Sequence, residues 1–247
     1  MSDQSWQPAS QQPPPAPGEI HVWRIDLVAS SASPADVPLL SPDERERAGR
    51  LLCGHKRDRF IAGRSALRSL LGRYLDEAPQ ALEFRYGPHG KPALVTGASE
   101  AILTFNFSHS EDLALLAVAT GREVGIDIEY RHRDISIAPF ARHILCENET
   151  TALQRLPAER HKQALLTAWT RKEAYVKALG EGLARSLKSF SAGIADEETA
   201  VLRLEDASGE PRTWTFTSLA VHPDYLACLT APGSDWTPRC FDWRPVL

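Results

Sequence analysis

The segment Val124–Tyr130 carries two carboxylates at a spacing that could hold a metal ion. On a β-strand, Asp127 and Glu129 would lie on one face, about 7 Å apart, while Ile126 and Ile128 would anchor the opposite face in a core. Such a pair of oxygen ligands suits a hard divalent cation. The competing interpretation is a half-exposed strand whose acidic face is simply solvated.

A second segment, Trp169–Lys177, has the periodicity of a helix. Trp169, Glu173 and Lys177 follow one another at intervals of four residues, so they would lie one above another on the same helix face. Glu173 could complete a metal site or act as a general base, and Lys177 could neutralise an oxyanion or a phosphate. If these residues have no function, Glu173 and Lys177 would form an ordinary ion pair on the surface, beside a tryptophan that packs in the core.

Two further segments could contact an anion. In Asn106–Ser110, which is predicted to lie at a strand end, the Ser108 hydroxyl and the His109 imidazole could hydrogen-bond to a phosphate. Ser108 or Ser110 could instead act with His109 in a Ser/His hydrolase, although no Gly-x-Ser-x-Gly motif is present here. Lys91 follows a tight turn and could also reach an anion.

Residues 41–75 are rich in positive charge. Nine arginine and lysine residues stand against four acidic ones, an excess of five positive charges in a chain whose net charge is −4. This asymmetry favours an anion-binding patch for a nucleotide phosphate or an acidic partner. The nine residues are Arg45, Arg47, Arg50, Lys56, Arg57, Arg59, Arg64, Arg68 and Arg73.

The overall composition excludes several classes of protein. A net charge of −4 implies no whole-surface attraction to nucleic acid or anionic lipid. No apolar run approaches the roughly 18 residues of a membrane span. The four cysteines form no Cys-x-x-Cys pair, which indicates reduced thiols. We therefore expect a cytoplasmic monomer without nucleic-acid or membrane partners, and a disordered Pro-rich tail at residues 1–19.

The elements that would position these residues alternate between helices and strands. A capping box at Ser41 and Glu44 predicts a helix that runs, with a break near Gly54, to about Leu75. Two later helices are predicted at 147–156 and 160–179. Strands are predicted at 20–28, 82–86, 93–95, 103–107, 113–119, 124–130, 190–194, 201–204, 214–221 and 225–230.

This recurring order predicts the α+β fold class. We expect two similar α+β halves, residues 20–121 and 122–247, packed about a pseudo-twofold axis. The active site would then lie at the interface between the halves, where the acidic strand, the Glu173 helix and the anion-binding segments could meet.

Four of these segments, in this order, resemble the motifs of the Sfp-type 4′-phosphopantetheinyl transferases. They are Gly90–Pro92, Asn106–Ser110, Gly125–Glu129 and Trp169–Lys177. The resemblance covers most of the chain outside its two ends. It implies an enzyme that moves 4′-phosphopantetheine from coenzyme A to a serine of an apo acyl- or peptidyl-carrier protein, with Mg²⁺ as cofactor and 3′,5′-ADP as the second product. Fatty-acid, polyketide and nonribosomal-peptide carriers all fit this description.

The resemblance also assigns roles to individual residues. It implies that Asp127, Glu129 and Glu173 hold the Mg²⁺, that Glu173 is the general base, and that Lys177 stabilises charge on the pyrophosphate or the leaving group. It further implies a set of polar and cationic contacts to coenzyme A, with the two arginines at or near the 3′-phosphate: Arg59, Arg64, Lys91, Ser108, His109 and Lys177.

Two alternatives stay open at this point. One is a binding module whose basic helices grip nucleic acid or an acidic protein without catalysis. The other is a Ser/His hydrolase. Neither accounts for the acidic strand and the Glu173 helix together. One departure from the family pattern is Glu181, which lies between two glycines where relatives often carry lysine.

Overall fold

The computed structural model describes residues 5–9, 11–28, 36–95, 103–195, 197–205 and 210–244. The α-helices in these ranges are α1 (Pro42–Arg50), α2 (Gly54–Leu75), α3 (Ile137–Ile144), α4 (Glu147–Gln154) and α5 (His161–Leu179). The strands are β1 (Gln7–Ala9), β2 (Glu19–Asp26), β3 (Phe84–Tyr86), β4 (Pro92–Leu94), β5 (Leu103–Ser110), β6 (Leu113–Thr120), β7 (Gly125–Tyr130), β8 (Thr199–Glu205), β9 (Pro211–Ser218), β10 (Tyr225–Pro232) and β11 (Thr237–Trp243). Of these helices, none combines the length and the apolar composition that crossing a bilayer requires.

The strands form two larger sheets and one small hairpin. The first sheet has the order β1-β11-β2-β6-β5, the second has the order β7-β10-β9-β8, and β3 pairs with β4. Neighbouring strands are antiparallel, except that β1 and β2 run parallel to β11. In this topology β5 ends the first sheet and β7 ends the second.

Strand alternation divides the apolar residues among three core clusters. On β6, Leu116 packs in the cluster that contains the apolar face of α2, whereas Leu115 packs between the two sheets. On β10, Cys228 belongs to the cluster of α5, whereas Leu229 packs between the sheets. The layers are therefore α2, the first sheet, the second sheet and α5.

The first half contains a buried ion pair between its short and its long helix. Glu44 of α1 accepts hydrogen bonds from the backbone N–H of Ser41 at 3.0 Å and from Arg68 Nε of α2 at 2.6 Å. Arg68 also donates to the carbonyls of Pro79 and Leu82, each at 2.9 Å. Because both charges are buried, each needs the other to offset its lost hydration.

The second half repeats this arrangement. Glu149 of α4 accepts a hydrogen bond from the backbone N–H of Cys146 at 3.0 Å and pairs with Lys172 Nζ of α5 at 2.6 Å. Lys172 is 0% exposed and also donates to three backbone carbonyls, one of them that of Phe190. The recurrence of a capping-box glutamate, a buried cation and carbonyl contacts accords with two similar halves. The α+β fold class is confirmed.

The strand predicted at 190–194 is wrong. The backbone of this segment binds side chains instead of a neighbouring strand: Ala192 N–H donates to Glu149 Oε1 at 2.8 Å, and Arg171 Nη1 donates to Ala192 O at 3.2 Å. Because these side chains satisfy its polar groups, the segment is buried without joining a sheet.

Residues 5–9 of the segment predicted to be a disordered tail contribute to the fold instead, whereas its residues 1–4 and 10 lie outside the described residues. Strand β1 pairs with β11, and Trp6 Nε1 donates to Ala220 O at 2.9 Å. The guanidinium of Arg24 lies 4.5 Å from the centroid of the Trp6 ring. Strand β11, from the end of the chain, lies between β1 and β2, so the first sheet includes a strand from beyond the predicted boundary at residue 121.

We predict that Gly125 is required for the packing of α5 on β7. A Cβ atom at this position would lie 1.9 Å from Ala174 O of α5, so Gly125→Ala must push the helix away. The free energy of unfolding, measured by urea denaturation, should fall by about 3 kcal/mol, the upper end of the usual cost of overpacking.

Gly49→Ala is the matched control, because a Cβ at Gly49 in α1 meets nothing within 4 Å. This substitution should be neutral or stabilising by up to about 1 kcal/mol. A Gly125→Ala protein as stable as wild type would contradict the close approach of α5 to β7.

Candidate active site

Side chains join the edges of the two sheets where β5 meets β7. The Ile126 N–H donates to Asn106 Oδ1 at 2.9 Å, and the Tyr130 N–H donates to Ser110 Oγ at 3.0 Å. Side chains at alternate positions of β5 thus satisfy backbone donors of β7. Ser108 lies between these two positions, so its side chain also faces β7.

Ser108, Asp127 and Lys177 form one hydrogen-bonded cluster across β5, β7 and α5. Lys177 Nζ lies 2.6 Å from Asp127 Oδ1 and 2.8 Å from Ser108 Oγ. Ser108 Oγ donates to Asp127 Oδ1 at 2.9 Å. Asp127 is only 3% exposed, which rules out a solvated acidic face. Burial raises the pKa of Asp127, an effect that the charge and hydrogen bond of Lys177 oppose.

Glu129 is oriented by two donors from neighbouring elements. Its Oε1 accepts a hydrogen bond from Trp169 Nε1 at 2.7 Å and one from Arg133 Nη1 at 2.6 Å. The Ser110 hydroxyl lies 3.5 Å from Oε2. Trp169 therefore does more than fill the core, because its indole N–H fixes a carboxylate that the sequence singled out.

Glu173 completes the group of three acidic residues. Burial, together with the negative charges of Asp127 and Glu129, raises the pKa of Glu173 to about 7 against the opposing charge of Lys177. Among the residues that the structure describes, buried Glu173 Oε1 has no hydrogen-bond partner, and neither has buried Asp127 Oδ2. The structure thus places the predicted acidic residues within electrostatic reach of one another.

The carboxylate oxygens of the acidic residues are suitable ligands for a divalent cation, although the side chains do not form a ready ligand set. Within the described ranges, no group of three His, Cys, Asp or Glu side chains forms a ligand set. Asp127 is engaged by Lys177 and Glu129 by Arg133. The two buried oxygens without partners, on Asp127 and Glu173, are of the kind that a hard cation prefers.

Two of the predicted phosphate contacts lie beside this cluster. His109 is exposed, yet partial loss of hydration and the positive charges of Lys177, Arg59 and Arg47 lower the pKa of its imidazole. Arg59 pairs with Glu111 at 3.1 Å and with Asp112, both in the turn after β5. The structure therefore brings positive charge from α1, α2 and α5 close to His109 on β5.

Lys91 lies in a cavity next to the acidic residues. The cavity has a volume of about 550 Å³, and Glu173, Lys177 and Gly180 also line it. Lys91 Nζ donates to Ala178 O, near the C-terminus of α5, at 2.6 Å. Burial lowers the pKa of Lys91 to about 8. In this arrangement the ammonium group binds the helix end, and an anion would have to compete with that carbonyl.

Arg64 lies in the buried ion pair of the first half. Its Nε donates to Glu44 Oε1 at 2.6 Å, and its guanidinium lies 5.2 Å from the ring centroid of Phe84. Burial alone would raise the pKa of Glu44, but the hydrogen bond from Arg68 and the charge of Arg64 lower it overall. The contacts of Arg64 therefore do not link it to His109 and Arg59.

The geometry disfavours both alternative functions. His109 lies on the opposite face of β5 from Ser108 and Ser110, because successive side chains of a strand alternate. Both serine hydroxyls donate to carboxylates, so the Ser/His hydrolase is not assembled. Much of the positive charge of residues 41–75 is paired, for example in Arg50–Glu46, which weakens the case for a non-catalytic basic surface.

Several residues that shape this site were not predicted from the sequence. Asn106 and Ser110 bind the backbone of β7, and the alternation of polar residues in Asn106–Ser110 was the signal that could have found them. Arg171 and Lys172 occur in the α5 motif but are buried and bind backbone carbonyls. Arg133 gave no signal in the sequence, because its role depends on the position of Glu129.

Comparisons with known proteins show to which family the chain is similar. The family model of the 4′-phosphopantetheinyl transferase superfamily matches residues 123–230, and that of the 4′-phosphopantetheinyl transferase N-terminal region matches residues 32–121. The chain is 35% identical over 240 residues to the 4′-phosphopantetheinyl transferase HetI of Nostoc sp. strain PCC 7120, covering 97% of this chain and 98% of HetI. It is 34% identical over 155 residues to the 4′-phosphopantetheinyl transferase AcpT of Escherichia coli K12, covering 62% of this chain and 72% of AcpT.

The raised pKa of Glu173 predicts a pH-dependent stability. The pKa is about 7 in the folded protein against an ordinary value of 4.5, so the folded state binds the proton more tightly. The free energy of unfolding should therefore fall as the pH rises from 4.5 to 7 and stay low above that range. Glu173→Gln removes this titration and should be about 1–3 kcal/mol more stable than wild type at pH 8.

Urea denaturation at pH 5 and pH 8 measures this difference, which should be much smaller at pH 5. Glu159→Gln, at an exposed residue, is the control and should show the same small difference at both values. A Glu173→Gln effect that is equal at the two pH values would refute the raised pKa.

Proposed function

We propose that this chain, which belongs to the 4′-phosphopantetheinyl transferase superfamily, has coenzyme A and an apo acyl- or peptidyl-carrier protein as its substrates. The enzyme would transfer 4′-phosphopantetheine to a serine hydroxyl of the carrier and release 3′,5′-ADP. The observation that carries the proposal is the half-buried Glu173, whose pKa of about 7 suits a general base at neutral pH. It lies beside a cluster of charges that suits a pyrophosphate.

Asp127, Glu129 and Glu173 are the residues that would hold the magnesium ion. Their oxygens are hard ligands, and two of them, Asp127 Oδ2 and Glu173 Oε1, are buried without a partner. When bound there, Mg²⁺ supplies positive charge to the phosphoryl oxygens.

Glu173 would take the proton of the carrier serine. A neutral hydroxyl is a poor nucleophile, so a positioned base lowers the barrier to attack on phosphorus. A carboxyl group with an ordinary pKa would be a weaker base. The burial of Glu173 and the adjacent negative charges therefore bring its pKa close to neutral pH.

Lys177 would stabilise the negative charge of the pyrophosphate. Its ammonium group contacts Asp127 and Ser108, yet the side chain is still 28% exposed. The side chain therefore stays accessible from the cavity. The hydroxyl of Ser108 is held by Asp127 and Lys177. Pre-positioned donors of this kind lower the barrier because they need no rearrangement during the reaction.

Coenzyme A phosphates would bind where the cations of the two halves converge. The positive charge of Arg59 lowers the pKa of His109, and Lys91 lies in the cavity that Lys177 and Glu173 also line. Arg59 is therefore the arginine that we place at the 3′-phosphate, and we assign Arg64 to the buried ion pair.

The proposal includes action as a cytoplasmic monomer without nucleic-acid or membrane partners. The four cysteines are all free, which suits a reducing compartment. The net charge of −4 gives no general attraction to nucleic acid or anionic lipid.

Glu173→Gln tests the proposed function. The glutamine keeps the side-chain length and one oxygen ligand but cannot accept the serine proton. We expect the variant to bind coenzyme A with Mg²⁺ within several-fold of wild type, measured by isothermal titration. Transfer to apo-carriers, followed by intact mass, should be at least about 100-fold slower.

The wild-type enzyme is assayed in parallel on fatty-acid, polyketide and nonribosomal-peptide apo-carriers. If none of them gains mass in the presence of coenzyme A and Mg²⁺, the proposed function is wrong. A Glu173→Gln enzyme with wild-type kcat would remove Glu173 as the base, whereas a parallel loss of coenzyme A binding and rate would make it chiefly a metal ligand.

Arg59 and Arg64 should separate in a comparison of coenzyme A with dephospho-coenzyme A, which lacks the 3′-phosphate. Arg59→Ala should raise KM for coenzyme A about tenfold and leave KM for the dephospho analogue nearly unchanged. Arg64→Ala should instead lower the free energy of unfolding by about 1–3 kcal/mol, because Glu44 loses a buried partner. Equal KM penalties of Arg59→Ala on both substrates would overturn its placement.

A further inference from the structure

The charges around the acidic residues leave a small negative excess. Asp127, Glu129 and Glu173 contribute three negative charges when ionised, and Lys177 and Arg133 contribute two positive ones through ion pairs of 2.6 Å each. A divalent cation alone would therefore meet two positive charges already bound to the carboxylates. A divalent cation that arrives with a doubly charged pyrophosphate leaves the site's net charge unchanged.

Arg133 differs from Lys177 in its surroundings. Its guanidinium lies 5.6 Å from the ring centroid of Phe140 and 6.0 Å from that of Trp169. Its side chain is 35% exposed, whereas the Glu129 side chain is 15% exposed. Because its side chain is partly exposed, Arg133 can leave Glu129 and enter solvent at little cost in free energy. Until it leaves, contacts with the two aromatic rings keep its guanidinium beside the carboxylate.

The Glu129 oxygen that Arg133 binds has a second donor. Trp169 Nε1 donates to the same Oε1 at 2.7 Å, so the carboxylate keeps its orientation when the arginine moves. The Ser110 hydroxyl lies near the other oxygen. Orientation of Glu129 thus does not depend on Arg133, and the arginine contributes mainly its charge.

We propose that Arg133 is a counter-cation that makes metal binding at Glu129 conditional on the coenzyme A pyrophosphate. The inference rests on the proposed function and adds an order to it: the metal ion binds weakly alone and strongly with the nucleotide. The two positive charges offset most of the attraction that the three carboxylates exert on a divalent cation, and the negative charge of the pyrophosphate restores that attraction. Arg133 acts here through its charge on Glu129 and is not a catalytic residue.

Binding of Mn²⁺, followed by the electron paramagnetic resonance signal of the free ion, tests this proposal without any turnover. Wild type should bind Mn²⁺ at least about tenfold more tightly with saturating coenzyme A than without it. Arg133→Gln keeps much of the side-chain length and removes the charge. It should raise the affinity for Mn²⁺ alone about tenfold and change the affinity with coenzyme A much less.

Two variants control for other effects of the substitution. Arg133→Lys keeps the charge and should behave like wild type. Arg142→Gln removes an exposed positive charge from α3 and should leave Mn²⁺ binding unchanged. Thermal unfolding of each variant checks that the fold is intact, which the partial exposure of Arg133 leads us to expect.

The outcomes separate this proposal from the proposed function. If wild type transfers phosphopantetheine but Arg133→Gln binds Mn²⁺ alone no more tightly than wild type, the counter-cation role is wrong and the function stands. The counter-cation role is also wrong if Arg142→Gln has an equal effect, because the effect is then one of general charge. If wild type neither transfers phosphopantetheine nor binds Mn²⁺ with coenzyme A, both proposals fall.

Discussion

Two strands from different sheets, β5 and β7, are held edge to edge by side chains, and the site depends on this contact. Asn106 and Ser110 of β5 bind backbone N–H groups of β7, and Ser108 between them binds Asp127. Helix α5 must then lie close enough to β7 to bring Glu173 and Lys177 to the same place. Gly125 permits that approach, because any Cβ there would meet the backbone of α5.

The same contact explains the electrostatics of the site. Elsewhere in the fold, buried charges such as Glu149 and Lys172 satisfy one another and the nearby backbone, as stability requires. At the edge of β7, three carboxylates meet two cations within the described part of the chain. The pKa of Glu173 rises, and buried oxygens stay without partners. Such local imbalance is typical of functional sites, where binding or catalysis uses what the fold leaves unsatisfied.

Local patterns predicted the parts of the site that depend on strand and helix periodicity. The shared face of Asp127 and Glu129 follows from alternation, and the alignment of Glu173 with Lys177 follows from helical spacing. The contacts of Arg64 and the irregular backbone of residues 190–194 could not be predicted in this way. Arg64 meets Glu44, a partner distant in sequence, and the side chains of Glu149 and Arg171 satisfy the backbone of Ala192. The pairing of β1 with β11 likewise joins the two ends of the described chain.

Native-state hydrogen exchange of the Ile126 amide tests the central claim most directly. This N–H donates to the Asn106 side chain, so it should exchange as slowly as the amides within the β7–β10 ladder, through global unfolding only. In Asn106→Ala, exchange at Ile126 should become at least about tenfold faster than in those ladder amides. Slow exchange at Ile126 in the variant, or fast exchange in wild type, would show that side chains of β5 do not hold β7 in place.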